Sequence, residues 1–117
     1  MRYMLLIYGD ESRGGNMTEE EGNAVMAAYY AYGDAATAAG IHLSSEALYE
    51  TTQAKTVRVR NGKTLVTDGP FAETKEQLGG FYELKCQDLD EAILWAGKCP
   101  GIQHGPIEIR PIVDHEG

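Results

Sequence analysis

The run Tyr3-Met4-Leu5-Leu6-Ile7-Tyr8 constrains this chain more than any other segment. It is apolar at every position and is stopped at once by Gly9-Asp10. That pattern suits a strand covered on both faces. Tyr3, Leu5 and Ile7 project to one side, and Met4, Leu6 and Tyr8 to the other. Whatever the fold, it must bury two sides of this strand.

Cover for one side is easy to find. Thr18-Glu19-Glu20-Glu21 is a capping box, in which the threonine hydroxyl meets the Glu21 amide and the Glu21 carboxylate reaches back. The spacing Val25, Ala28/Tyr29, Tyr32, Ala35/Ala36, Ala39 predicts a helical stripe, which Gly40 ends as a left-handed cap. Asp88 opens a second helix with Glu91 at its third position, and its expected buried stripe is Leu89, Ala92, Ile93 and Ala96. Pro100-Gly101 closes it.

Between the helices the chain reads as strands. Ser45 to Glu50 is a weak candidate. Thr56-Val57-Arg58-Val59-Arg60 alternates cleanly, Asn61-Gly62 is a strong hairpin signal, and Lys63 to Thr67 returns. Asp68-Gly69-Pro70-Phe71 is turn chemistry. A polar loop follows, Gly79-Gly80 leads into Phe81 to Cys86, and Pro106 to Val113 ends the series with Pro111 suited to an edge. The order β-α-β-β-β-β-α-β predicts an α+β ferredoxin-like sandwich with an inserted β-hairpin, as one domain spanning residues 1–117.

Two helices cover one face of such a sheet, which leaves a face on the order of 300 Å². Its apolar residues predict a two-fold homodimer packed through that face. The alternative is that the inserted hairpin folds over it.

Composition narrows the partners. A net charge of −8 repels phosphate backbones and anionic membranes, so neither nucleic acid nor membrane is expected. The plainer meaning of the charge is solubility. Two cysteines, Cys86 and Cys99, are too few for a disulfide framework and read as reduced thiols. The N-terminal apolar run is too short for a signal peptide, and the expected location is cytoplasmic. The three histidines have no metal-ligand spacing, and no phosphate loop or nucleophile elbow is present, so neither metal nor cofactor is expected.

The stretch from Val66 to Tyr82, with Asp68-Gly69-Pro70-Phe71-Ala72-Glu73-Thr74-Lys75-Glu76-Gln77-Leu78-Gly79-Gly80 inside it, resembles the signature of DGPF-domain proteins, a branch of the YCII-related family. The N-terminal strand, Asp88-Leu89-Asp90-Glu91-Ala92, Cys99-Pro100 and Ile107-Glu108-Ile109-Arg110-Pro111-Ile112 agree in order, so the resemblance covers nearly the whole chain. It implies a dimeric ferredoxin-like α/β barrel. It also implies an acid and a histidine at a cleft in the enzymes of the wider family, and a link to alternative sigma factors for the DGPF branch.

Within this frame Asp68 is the leading catalytic candidate. Gly69 and Pro70 hold it rigidly at a strand end, and Phe71 is expected to anchor the loop in apolar surroundings. The plain alternative is an Asx-turn. His104 is the proton-transfer partner, against the alternative of an exposed loop histidine. Glu73 and Lys75 are candidate lining residues, or else a solvated loop. Arg58 and Arg110, with Arg60, are candidate counter-charges for an anionic ligand, or cross-strand solubilising charges. Tyr3, Tyr8, Tyr29, Tyr30, Tyr32 and Tyr82 can line a cavity or fill the core. His42 and His115 receive no role. The expectation is a homodimer that binds a small polar or anionic molecule near its interface, as a cofactor-free acid–base enzyme if it is one. The rival is a non-catalytic sensor or interaction module tied to sigma-factor regulation, with no deep pocket.

Overall fold

The computed structural model describes residues 1–114; His115 lies outside them. Six strands and two helices follow one another as β1 (Arg2–Gly9), α1 (Glu19–Ala38), β2 (His42–Ala47), β3 (Lys55–Arg60), β4 (Lys63–Asp68), β5 (Gln77–Lys85), α2 (Leu89–Lys98) and β6 (Ile107–Pro111). Short 3-10 turns stand at Glu11–Asn16, Thr51–Gln53 and Pro100–Gln103. β2, β5, β1 and β6 form one antiparallel sheet in that order. This is the ferredoxin-like α+β arrangement, with β3 and β4 inserted as a separate two-stranded sheet.

The all-apolar first strand takes a central position between β5 and β6. Tyr3 and Leu5 are buried beneath the helices with Tyr82 and Leu84 of β5, while Ile7, Ile107 and Ile109 pack against this core. Tyr32 of α1 joins the layers. Its ring meets Tyr82 edge-on at 5.0 Å and Trp95 at 5.8 Å, and its hydroxyl donates to the Trp95 carbonyl at 2.8 Å.

Both helix starts follow the sequence. Thr18 and Glu21 form the complete capping box, and Asp88 accepts from the Glu91 amide at 2.9 Å. Gly40 holds the left-handed conformation, at φ 75°. The buried stripes are narrower than their spacing suggested. On α1 only Tyr32 and Ala36 are buried, and Ala28, Ala35 and Ala39 stay exposed. On α2 the inward residues are Ala92, Trp95, Ala96 and then Cys99, whereas Leu89 and Ile93 are exposed.

Strand bounds shift at the glycines. Gly79-Gly80 does not precede β5 but lies inside it, where the register slips against Ile7 and Tyr8. A Cβ on Gly80 would meet the Glu46 carbonyl at 2.8 Å, so glycine permits β2 to pair this closely. β2 itself starts earlier than Ser45, at His42. Pro111 sits on the edge strand β6, as its missing N–H requires.

Cys86 and Cys99 are free and buried. The sheet face away from the helices carries half-buried Met4, Leu6 and Phe81 at its centre. Arg2, bonded to Glu83 at 2.9 Å and to Asp114 at 2.8 Å, borders it. Among the described residues, the inserted hairpin makes no extensive contact with any other element and so does not fold over this face.

Candidate functional site

A cleft of about 780 Å³ lies at the sheet end where β1 and β2 finish and β5 begins. Five aromatic residues line it: Tyr8, Tyr29, Tyr30, Phe81 and Tyr82. Polar groups at its rim are Asp10, Glu11, Ser45, Glu46, Gln77 and His104. The cleft wraps around the sheet. Tyr29, Tyr82 and Ser45 come from the helix side, and Phe81 and Glu46 from the opposite side.

Backbone devices place these groups. Gly101 is buried under Tyr29, where a Cβ would meet the phenol oxygen at 2.5 Å and Ile7 Cγ2 at 2.8 Å. Burial, with Cys99 beside it, pushes the Tyr29 phenol well above its usual value, so the ring enters the cleft neutral. His104 ends the 3-10 turn that starts at Pro100, with its amide bonded to the Gly101 carbonyl at 3.0 Å. The next residue, Gly105, lies so close to β1 that a Cβ would stand 2.2 Å from the Tyr8 carbonyl oxygen. These two contacts fix His104 at the cleft mouth.

Ser45 has a partner that the sequence did not reveal. His42 Nε2 lies 2.9 Å from Ser45 Oγ, and the His42 ring meets Tyr82 edge-on at 6.1 Å. Residues three apart on a regular strand face opposite sides. Here a bulge between His42 and Ser44 adds one residue, so His42 pairs with Leu84 and Ser45 with Tyr82, both on the helix side. His42, without a role in the sequence reading, thereby holds a hydroxyl that lines the cleft. No periodic pattern signals a bulge in advance. Asp10, Glu11 and Glu46 were equally hidden, because nothing local marks them as converging.

Four of the tyrosines named from sequence line the cleft, namely Tyr8, Tyr29, Tyr30 and Tyr82, whereas Tyr3 and Tyr32 are core. The acids and bases are dispersed. Asp68 ends β4 on the inserted hairpin, is 87% exposed and pairs with Lys55 across the strands. It does not line the cleft that holds His104. Its turn is tied down otherwise, by the Gly69 amide on the Ala54 carbonyl and Thr56 Oγ1 on the Gly69 carbonyl, both at 2.8 Å. Gly69, at φ 92°, supplies the conformation expected of it. Phe71 departs from expectation: at 82% exposed, it finds no apolar anchorage among the described residues.

Glu73 and Lys75 lie on the exposed loop after the turn. Asp10 is held below the usual carboxylate range, first by its bonds to Ser12 and then by the nearby Lys75 charge. Lys75 therefore stands close to the cleft rim. Arg58 and Arg60 are exposed on the hairpin, while Arg110 lies on β6 beside Glu108 at 3.4 Å. The arginines occupy two different sheets and do not converge within one chain.

Among the described residues, no group of three or more His, Cys, Asp or Glu is arranged to hold a metal ion, and no helix is long and apolar enough to cross a membrane. A second groove of about 660 Å³ runs between α1 and α2, with His104 at the ridge between it and the cleft.

The chain is 41% identical over 114 residues to an uncharacterised protein of Rhizobium meliloti (strain 1021), covering 96% of this chain and 92% of that one. The model of the YCII-related domain matches residues 1–116. With the ferredoxin-like order of its strands and a match along nearly its full length, the chain belongs to the YCII-related family.

Proposed function

We propose that this protein is a homodimer that binds a small polar molecule, one with a flat or apolar body, in the cleft at the sheet end. The observation that carries the reading is the lining itself: five aromatic rings around a few polar groups, in a volume suited to a metabolite. Ser45, held by His42, offers a directional hydrogen bond, and His104 at the mouth is the group that exchanges a proton with the bound molecule. A cleft of this size favours ligand binding over the purely interacting module, which needs none.

The uncovered face supports the dimer. Met4, Leu6 and Phe81 form an apolar centre within a charged border, the pattern of a two-fold interface. Phe81 belongs to both that face and the cleft, so the site opens toward the interface. Asp68 joins His104 in chemistry only if it comes from another chain, because its own hairpin stands apart. An anionic ligand likewise needs a cation, and the cleft lining of one chain contains neither lysine nor arginine.

The test is a thermal-shift series with small aromatic acids, amides and phosphates on the wild type and on Tyr30→Ala and Ser45→Ala. Ligands that bind the native state raise its melting temperature. At least one compound should raise that of the wild type by several degrees and those of both variants much less. Equal shifts in all three proteins would exclude the cleft as the binding site.

A further inference from the structure

The β3–β4 hairpin is a ribbon with two unlike faces and no support. Val57, Val59 and Val66 share one face and are 60%, 68% and 60% exposed. Arg58, Arg60 and Lys63 share the other with Leu65. A two-stranded ribbon alone in water is marginal at best. Three exposed valines in a row are a surface that expects cover. The overall dimensions agree: the radius of gyration is 16.3 Å, against about 13 Å for a compact domain of this length.

Charge indicates where the ribbon docks. Residues 55–68 hold four cations, Lys55, Arg58, Arg60 and Lys63, and one acid, Asp68, for a net of +3. The whole chain carries −8, so the rest carries −8 − 3 = −11. The strongest concentration of positive charge is thus on the free ribbon, and the body it leaves is acidic. The cleft rim in particular presents Asp10, Glu11 and Glu46. Any second copy of the chain offers the same acidic rim, and two-fold symmetry makes the contact reciprocal.

We infer that in the homodimer each chain's hairpin docks on the other chain's cleft rim through its cationic face, with Arg58 and Arg60 brought to Asp10, Glu11 and Glu46. The cleft is then completed in trans. The partner adds arginines to a cleft whose own chain brings only Lys75 and Arg13 near Asp10, and the Asp68–Phe71 corner follows at the base of the same arm. This rests on the homodimer proposed above and adds to it a second contact that the open sheet face does not require. Complementary charges of this kind set both partner choice and register.

Sedimentation equilibrium on the full chain tests it, with circular dichroism to verify folding. The substitutions are Arg58→Glu with Arg60→Glu on the arm, Glu46→Lys with Asp10→Asn and Glu11→Gln on the rim, and Leu6→Lys on the open face. Wild type should be a dimer, and the arm and rim variants should each dissociate roughly a hundredfold more readily. An equimolar mixture of arm and rim variants should recover dimers, because each mixed pair then meets opposite charges at both contacts. An arm variant that dimerises like wild type, or a mixture without recovery, overturns the docking while leaving the homodimer in place. Leu6→Lys dimers of undiminished affinity would remove the open face as the interface and leave the arm. A wild-type monomer overturns both.

Discussion

His42 and Ser45 are hydrogen-bonded at 2.9 Å on one face of a strand whose regular geometry would set them on opposite faces. The bulge that joins them sets Ser45 in the cleft lining and gives its hydroxyl a fixed partner. Ser45→Ala should therefore weaken binding of a cleft ligand by about tenfold, the equivalent of a single hydrogen bond of ~1.4 kcal/mol. The fold should be unaffected. Isothermal titration of whichever compound shifts the wild-type melt measures it.

Tyr32 links both helices and the sheet through one buried hydroxyl. Tyr32→Phe keeps the edge-on rings but leaves the Trp95 carbonyl without that donor. Urea denaturation should show a loss of about 1–2 kcal/mol with an unchanged slope.

Two glycines flank the turn that carries His104, and they should differ in their tolerance. Gly101→Ala crowds the end of the Tyr29 side chain and a methyl of Ile7, which can move at some cost to the cleft. Gly105→Ala drives a methyl into the Tyr8 carbonyl on the central strand, which cannot. Thermal melts should show a loss of roughly 1–3 kcal/mol at Gly105 and a smaller one at Gly101.

Glu83 accepts from Ser44 Oγ and from Arg2, each at 2.9 Å, and these bonds hold its carboxyl below its usual 4.5. A carboxyl with a depressed folded pKa stabilises the native state above its unfolded pKa. That contribution is lost as pH falls through the lower, folded value. Acid unfolding followed from pH 7 downward should steepen below about 4.5 in wild type, and less so in Glu83→Gln.

Asp68→Asn breaks an ion pair that stands in solvent. Such pairs contribute about 0–1 kcal/mol, so chemical denaturation should barely register the change. A loss of binding or turnover in the same variant would then report a role outside its own hairpin.

The fold was legible because its determinants are local. The apolar run at Tyr3–Tyr8, the Thr18–Glu21 box, the Asp88 cap and Asn61-Gly62, at φ 51° and 74°, each act within a few residues. Helix faces were less legible, since spacing permits several stripes, and α2 turns in Ala92, Trp95 and Ala96 rather than Leu89 and Ile93. The site was only partly legible. Four lining tyrosines and His104 were named, but the rim depends on where three chain reversals meet, and the His42–Ser45 pair depends on a bulge that no alternation announces. Asp68 shows the limit of local reading: a turn that holds an acid rigidly says nothing about which surface it faces.

The two thiols, finally, can serve as built-in clocks. Burial pushes Cys86 up to about 11 and raises Cys99 as well, so a thiol reagent at neutral pH reaches either one only when the structure parts locally. Cys86 follows the end of β5 and Cys99 follows α2, so their separate modification rates read how often each end of the second helix lifts from the sheet.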